Sequence, residues 1–417
     1  MTPTDLPAGE TKTGAGVAPV AAAPRTAPVW LLIGATALGP MALNIFVPAM
    51  PRLVDAFETD VATIGLTLSL YLVALGAGQL VCGPIADRWG RRPTLLGGLA
   101  LYAAAALFCA AASSIGMLIT GRIVQAIGGC AAVVVVRAII RDSYHRERGA
   151  SVLAFVTMAM TIAPALSVTI GSYLVEHLDW RAGFVLLTLC ALALLAAAIR
   201  CLPETQPVRN AGGGFVAAVA AYRTVLRSPV FCGFALCLAF TSAAFFAFVA
   251  GAPFIVVQVF GYAETDYGLA FLMVPCGYMA GSFVAARCSI RVGVDGMVVI
   301  GTVIAFLSCV ALVSFVAAGG LGLFSLFVSM GVIAIGNGIS QPNAIAAAIE
   351  VDARVAGTAS GLVGFAQMAI GGVATVAVAL FADGSAAPMI AVMMGATILA
   401  ALAYTLAVLG RRRLSAA

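Results

Sequence analysis

Apolar runs long enough to cross a lipid bilayer recur from residue 28 almost to the end of the chain, and this recurrence limits the possible folds more than any other feature. About 20 residues at 1.5 Å each match the roughly 30 Å of hydrocarbon in a membrane. Twelve runs can be marked, at 28–50, 62–83, 94–112, 116–138, 151–174, 182–203, 229–257, 267–288, 297–317, 321–343, 356–381 and 387–410. With 62% of residues hydrophobic and 9% charged, the chain lacks the polar surface that a soluble fold of 417 residues would need. In lipid every backbone N–H and C=O needs a partner within the chain, so runs of this length read as helices.

The expected fold class is an all-α membrane protein with twelve transmembrane helices in two six-helix halves. The only long polar break, near 204–228, separates six runs from six. Expected boundaries are a tail at 1–27, a first half at 28–203, a central loop at 204–228, a second half at 229–410 and a tail at 411–417. Within the central loop Phe215, Val219, Tyr222 and Leu226 share a helical face beside Arg223 and Arg227, as in a helix lying on an anionic membrane surface or in a plain linker. Three pairs suggest duplication: Pro48 with Pro253, "DRWGRR" at 87 with "IRVGVD" at 290, and "QAIGG" at 125 with "IAIGN" at 333. Repeated membrane halves enclose a substrate site and rock against each other.

Basic residues sort by side. Placing the N-terminus in the cytoplasm puts Lys12, Arg25, Arg88, Arg91, Arg92, Arg141, Arg146, Arg148, Arg200 and the later basic residues up to Arg413 inside, and only Arg52 and Arg181 outside. Short basic loops resist translocation, so both termini are expected inside. This accounts for the net charge of +5 and removes the case for a nucleic-acid partner. The 10 cysteines show no CxxC pair and no zinc spacing, so neither a metal nor a cofactor is expected.

"GPIADRWGRR" at 83–92 concentrates charge between two apolar runs. Its Gly83, Asp87, Arg88, Gly90, Arg91 and Arg92 match, position by position, the signature between spans two and three of the major facilitator superfamily, which the chain resembles from residue 28 onward. The resemblance implies a conformational latch: Asp87 would meet the N-terminus of span eleven near Ala356 and Gly357, where a helix dipole favours a carboxylate by about 0.3–1 kcal/mol. In the second half Asp87 aligns with Ile290, so the latch would be one-sided. "ALGPMALNIFVPAMP", "GRIVQAIGG", "APALSVTIGS", "DWRAGF" and "AGTASGLVGFAQM" resemble the drug-efflux branch, and within it the Bcr/CflA multidrug-resistance transporters.

Several side chains lie at membrane depth. Arg122 sits about six residues into span four, where a charge costs about 2.5–3.5 kcal/mol at the bilayer centre and must face protein or water. It reads either as a substrate or proton-relay group or as a structural arginine satisfying the carbonyls of a kinked helix. Arg137, nearer the cytoplasmic end, can snorkel. Pro40 and Pro164 each interrupt a span and bend it, which can gate a cavity. Asn44 follows Pro40 by one turn and Gln125 follows Arg122 by one turn. These residues, with Tyr71, Gln341 and Gln367, are the expected cavity or coupling set; Gln79, Asn337 and Asn343 are further uncharged polar groups.

The resembling family usually carries an acid in span one where this chain has Asn44, and that acid is given the coupling role. None of the 17 Asp and Glu residues falls inside a marked span; Asp87 stands just past the edge of the second. The cavity is therefore expected to prefer neutral or anionic compounds over lipophilic cations. With no nucleophile–base pair or metal cluster in the spans, an enzyme is not expected. The expectation is a monomeric exporter of drugs or small amphipathic compounds in a bacterial inner membrane, with protons as co-substrate and the bilayer as its solvent. The alternative is an uncoupled facilitator or importer of a neutral or anionic molecule.

Overall fold

The computed structural model describes residues 26–144, 146–205, 222–350 and 356–416. Twelve long helices follow one another: α1 (Val29–Ile45), α2 (Val61–Trp89), α3 (Arg91–Ala110), α4 (Ile115–Ser143), α5 (Arg146–His177), α6 (Trp180–Cys201), α7 (Pro229–Phe254), α8 (Met273–Val292), α9 (Val294–Ala317), α10 (Leu323–Glu350), α11 (Ala356–Leu380) and α12 (Ala387–Ala416). A 3-10 turn and the short helix Met50–Ala56 extend α1, and the short helix Glu264–Phe271 precedes α8. Among the described residues twelve spans are long and apolar enough to cross a membrane, matching the number read from the sequence.

Short polar links start the helices. Asp60 accepts the Thr63 N–H at 2.7 Å, Ser114 that of Met117 at 3.2 Å and Ser228 that of Phe231 at 3.3 Å, so N-terminal donors that α2, α4 and α7 cannot satisfy internally find acceptors. Gly90 and Gly293, with φ of 105° and 81°, turn α2 into α3 and α8 into α9 in a backbone region that disfavours side chains.

Burial follows a period of three helices. The most hydrophobic stretches of the first, fourth, seventh and tenth spans are 61, 67, 72 and 61% buried, against 44, 33, 39 and 33% for the third, sixth, ninth and twelfth. The first group forms the centre and the second the rim. Rim residues such as Leu107, Leu189, Leu307 and Leu402 are exposed, which is the surface a helix presents to lipid. The two halves repeat a crossing: α4 meets α3 where a Cβ on Gly128 would lie 2.6 Å from the Tyr102 nitrogen, and α10 meets α9 where a Cβ on Gly336 would strike the Gly301 carbonyl.

The helices outrun the hydropathy. Hydrogen bonding continues past the apolar runs, taking α2 to Trp89, α4 to Ser143 and α12 to Ala416, so residues 411–416 continue a helix and do not form a separate tail. Ala27, assigned to the N-terminal tail, is buried, and its carbonyl accepts the Tyr144 hydroxyl at 2.6 Å. The expectation for 1–25 lies outside the described residues, as do Phe215 and Val219 of the central face. Residues 222–226 are helical, and the Tyr222 hydroxyl donates to the Leu80 carbonyl of α2 at 3.3 Å.

Candidate functional site

Helix α1 stops at Ile45, where the 3-10 turn begins, and the Phe46 N–H turns to the Asn44 carbonyl. The Ala42 carbonyl thereby loses its usual helical donor four residues on. Arg122, two turns into α4, supplies a replacement: one terminal nitrogen donates to Ala42 O at 2.9 Å and to Gln125 Oε1 at 2.8 Å. Further along α1 the Tyr102 hydroxyl donates to Leu38 O at 2.9 Å, Tyr71 to Gly39 O at 3.0 Å and the Asn44 amide to Pro40 O at 2.8 Å. Four carbonyls around Pro40 are thus held by side chains from α1 itself and from α2, α3 and α4.

Arg122 is fully buried. Its guanidinium carbon lies 4.0 Å from the Tyr71 ring centroid, 4.9 Å from Phe46 and 5.9 Å from Phe184, so three π faces share the charge. Such contacts contribute about 2 kcal/mol when desolvated, comparable to the insertion cost of the charge. Among the described residues the second terminal nitrogen and Nε of Arg122 have no partner, and neither do Gln125 Nε2 and Asn44 Oδ1. The nest retains unused donors and one unused acceptor within the first half.

The 83–92 motif is one continuous hinge. Gly83, Asp87 and Arg88 lie in the last turns of α2, Gly90 makes the turn, and Arg91 and Arg92 open α3. Buried Arg91 pairs with Asp87 at 2.7 Å and with Asp142 at the end of α4 at 3.2 Å. Glu204 accepts the backbone N–H groups of Arg91 at 3.0 Å and Arg92 at 3.3 Å, a carboxylate on the N-terminus of α3. Arg92 also donates to Ile199 O of α6 at 2.9 Å. The motif therefore ties α2, α3, α4 and the segment after α6 together. The expected contact of Asp87 with residues 356–357 falls on side chains outside those described.

The halves meet along α2 and α11, where Gly76 faces Phe365 and Gly364 faces Gln79, and their polar contacts gather toward the end away from this motif. The Ser69 and Thr375 hydroxyls, both buried, hydrogen-bond at 2.5 Å across α2 and α11. Thr169 of α5 donates to Gly268 O at 3.1 Å, and Glu176 accepts the Thr265 N–H at 3.0 Å. Arg52 pairs with Glu264 at 2.5 Å and also donates to Val175 O at 2.6 Å. At the motif end α5 and α8 part around a cavity of about 540 Å³, lined by Thr157, Met158, Thr161, Tyr278, Ser282 and Asn343 among others. Pro164 stands on α5 between the parted and the closed stretches.

The structure brings Arg122, Gln125, Asn44, Tyr71 and Pro40 together. Gln367 is elsewhere, donating to Ser242 Oγ of α7 at 2.9 Å, and Gln341 is half-buried on α10. Because the helices run long, Asp142, Glu176 and Glu264 belong to helix ends that the marked spans leave out. The Arg52–Glu264 pair was missed for that reason, although Arg52 was one of only two arginines assigned to its side. Among the described residues no cluster of metal-ligating side chains occurs.

A family model described as Major Facilitator Superfamily matches residues 32–376. The chain is 27% identical to a bicyclomycin resistance protein homolog of Haemophilus influenzae over 88% of this chain and 92% of that protein. It is 29% identical to multidrug resistance protein D of Escherichia coli over 81% and 84% of the two chains, and 36% identical to a chloramphenicol resistance protein of Pseudomonas aeruginosa over 60% and 58%. Among solved structures, an inward-facing, unoccupied bacterial homolog of the human lysosomal transporter Spinster superposes with a TM-score of 0.75 at 14% identity, covering 92% of this chain and 96% of that one. The D-xylose–proton symporter does so with a TM-score of 0.71 at 14% identity, covering 92% and 96%.

Proposed function

The chain belongs to the major facilitator superfamily, and from that premise we propose that it exports drugs or small amphipathic compounds across a bacterial inner membrane by alternating access. One observation carries the transport cycle: contacts between the halves close one end of the bundle, and a cavity opens between them at the other. We read the motif end as cytoplasmic, because the arginines gather there, and the conformation as inward-facing. Both termini are then inside. The drug-resistance names of the relatives support export, and a monomer suffices for the cycle.

In this reading Gly83, Asp87, Arg88, Gly90, Arg91 and Arg92 form the latch that resets the cytoplasmic end, while Pro164 and Pro40 are the bends about which α5 and α1 swing. Arg122, Gln125, Asn44 and Tyr71 carry the state of that motion through α1, with Gln341 and Gln367 on the facing half. Among the described residues the carboxylates of the long helices lie in terminal turns and none is paired with Arg122, so neutral or anionic cargo is favoured. Proton antiport drives export, with a carboxylate at a helix end, Asp87 first, as the carrier.

A second reading, an uncoupled facilitator, is favoured by one observation: Asn44 spends its amide on the Pro40 carbonyl and offers no titrating group. Energised everted vesicles separate the two. Adding a neutral or anionic antibiotic should release protons, seen with a pH-sensitive dye, in membranes containing the protein and not in empty-vector membranes. Flux of labelled drug without proton movement would establish the facilitator.

A further inference from the structure

Building on that reading of the motif end as the open mouth, we infer that Arg137 anchors the anionic group of a substrate as it enters, and that the preferred cargo carries a carboxylate or comparable organic anion.

Placement comes from the neighbours of α4. Arg137 lies four residues after Val133, which packs at Gly39 of α1, and seven after Cys130, whose sulfur is 3.0 Å from that of Cys82 in α2. Residues four and seven apart share a helix face, so Arg137 leaves α4 between the directions of α1 and α2. The contact with α3 is on another side, through Gly128 and Ala131 against Gly98. Arg137 thus points toward the middle of the bundle, away from the lipid-facing rim. Val133 and Cys130 are buried on this face, whereas Arg137 is exposed. It sits six residues, or about 9 Å, before α4 ends at Ser143.

Charge accounting sets it apart from the arginines whose charge is already engaged. Arg91 has two carboxylates, Arg52 has Glu264, Arg411 has Asp295, and Arg122 has a carbonyl, an amide oxygen and three rings. Among the described residues Arg137 has no hydrogen-bond or ion-pair partner. Its planar fork matches a carboxylate with two parallel hydrogen bonds, which a lysine cannot reproduce. Cargo anchored here would be held by its charge at the mouth while its apolar body reached inward.

The test uses one scaffold with and without a carboxylate: chloramphenicol, which is neutral, and its succinate monoester. Binding of each to purified protein in neutral detergent is measured for wild type, Arg137→Gln and Arg137→Lys. Wild type should bind the ester more tightly than the parent. Arg137→Gln should weaken the ester about tenfold, or about 1.4 kcal/mol, and leave the parent within about twofold, which also shows that the variant is folded. Arg137→Lys should recover only part of the loss. Equal changes in both compounds, no change in either, or failure of wild type to bind the ester would each overturn the inference. Equal loss of both compounds that appears only when anionic lipid is withheld would identify a lipid headgroup as the true occupant. Export of the parent drug by wild-type vesicles is scored separately, so failure of the export reading leaves the binding comparison to be judged alone.

Discussion

The two halves share a scaffold and differ in chemistry. Gly90 and Gly293 turn corresponding helix pairs with positive φ, the crossing at Gly98 and Gly128 recurs at Gly301 and Gly336, and Pro48 and Pro253 each stand where a central helix turns irregular. The polar groups do not recur. Arg122 corresponds to Met330, which is buried among apolar side chains, and Asp87 to Ile290, which is 94% exposed and makes no latch. Beside Met330's helix the second half packs Tyr267, Phe271 and Phe327 with Phe248. Duplication supplies two bodies of similar build, and a few charged residues set into one of them distinguish it from the other.

The comparison can be broken most severely by converting the first half into the second at one residue. Arg122→Met leaves Ala42 O and the Gln125 amide without their donor in a dry site, at about 1–3 kcal/mol for each group left unmet. Drug export normalised to protein in the membrane should fall at least about tenfold. Unchanged export would mean that the guanidinium only fills space.

A smaller effect is expected at the seam between the halves. Glu264→Gln removes the charge that meets Arg52 across the far end, and because the Arg52 side chain is 42% exposed the pair contributes only about 1 kcal/mol. The population opened at that end should rise about fivefold, read as longer distances between spin labels at positions 58 and 262 in a cysteine-free background. An unaltered distance distribution would assign closure to the Ser69–Thr375 and Thr169–Gly268 contacts instead.

The smallest effect tests how α4 and α10 begin. Ser114 caps α4 with its side chain, while α10 starts after Gly322, whose carbonyl accepts the Leu326 N–H. Ser114→Ala should cost about 1 kcal/mol of stability and Ser114→Gly only a few tenths, because glycine already serves in the other half. Both should export normally; thermal unfolding in detergent resolves them.

The membrane fold was legible because lipid leaves the backbone few choices, so number and order of spans follow from apolar length alone. Helix ends were not, since α2 and α4 carry on through Asp87 and Asp142, where hydropathy has already fallen but hydrogen bonding has not. At the site, the one-turn spacings of Arg122 and Gln125 and of Pro40 and Asn44 put each pair on one helix face, and the structure has a hydrogen bond within each pair. Their union through Ala42 depended on where α1 ends, which hydropathy does not record. The Arg52–Glu264 pair joins residues 212 apart, and the direction of Arg137 depends on which helices flank α4; neither is written in a local pattern.

In the export reading, arginines unopposed by a carboxylate at bundle depth select the cargo. Comparing saturable export of ethidium-like lipophilic cations with that of neutral and anionic drugs of similar size, in vesicles holding the same amount of protein, tests this selection. Saturable export of the neutral and anionic compounds, with cations leaving no faster than from empty-vector vesicles, is the predicted result. Strong, saturable export of the cations would contradict it.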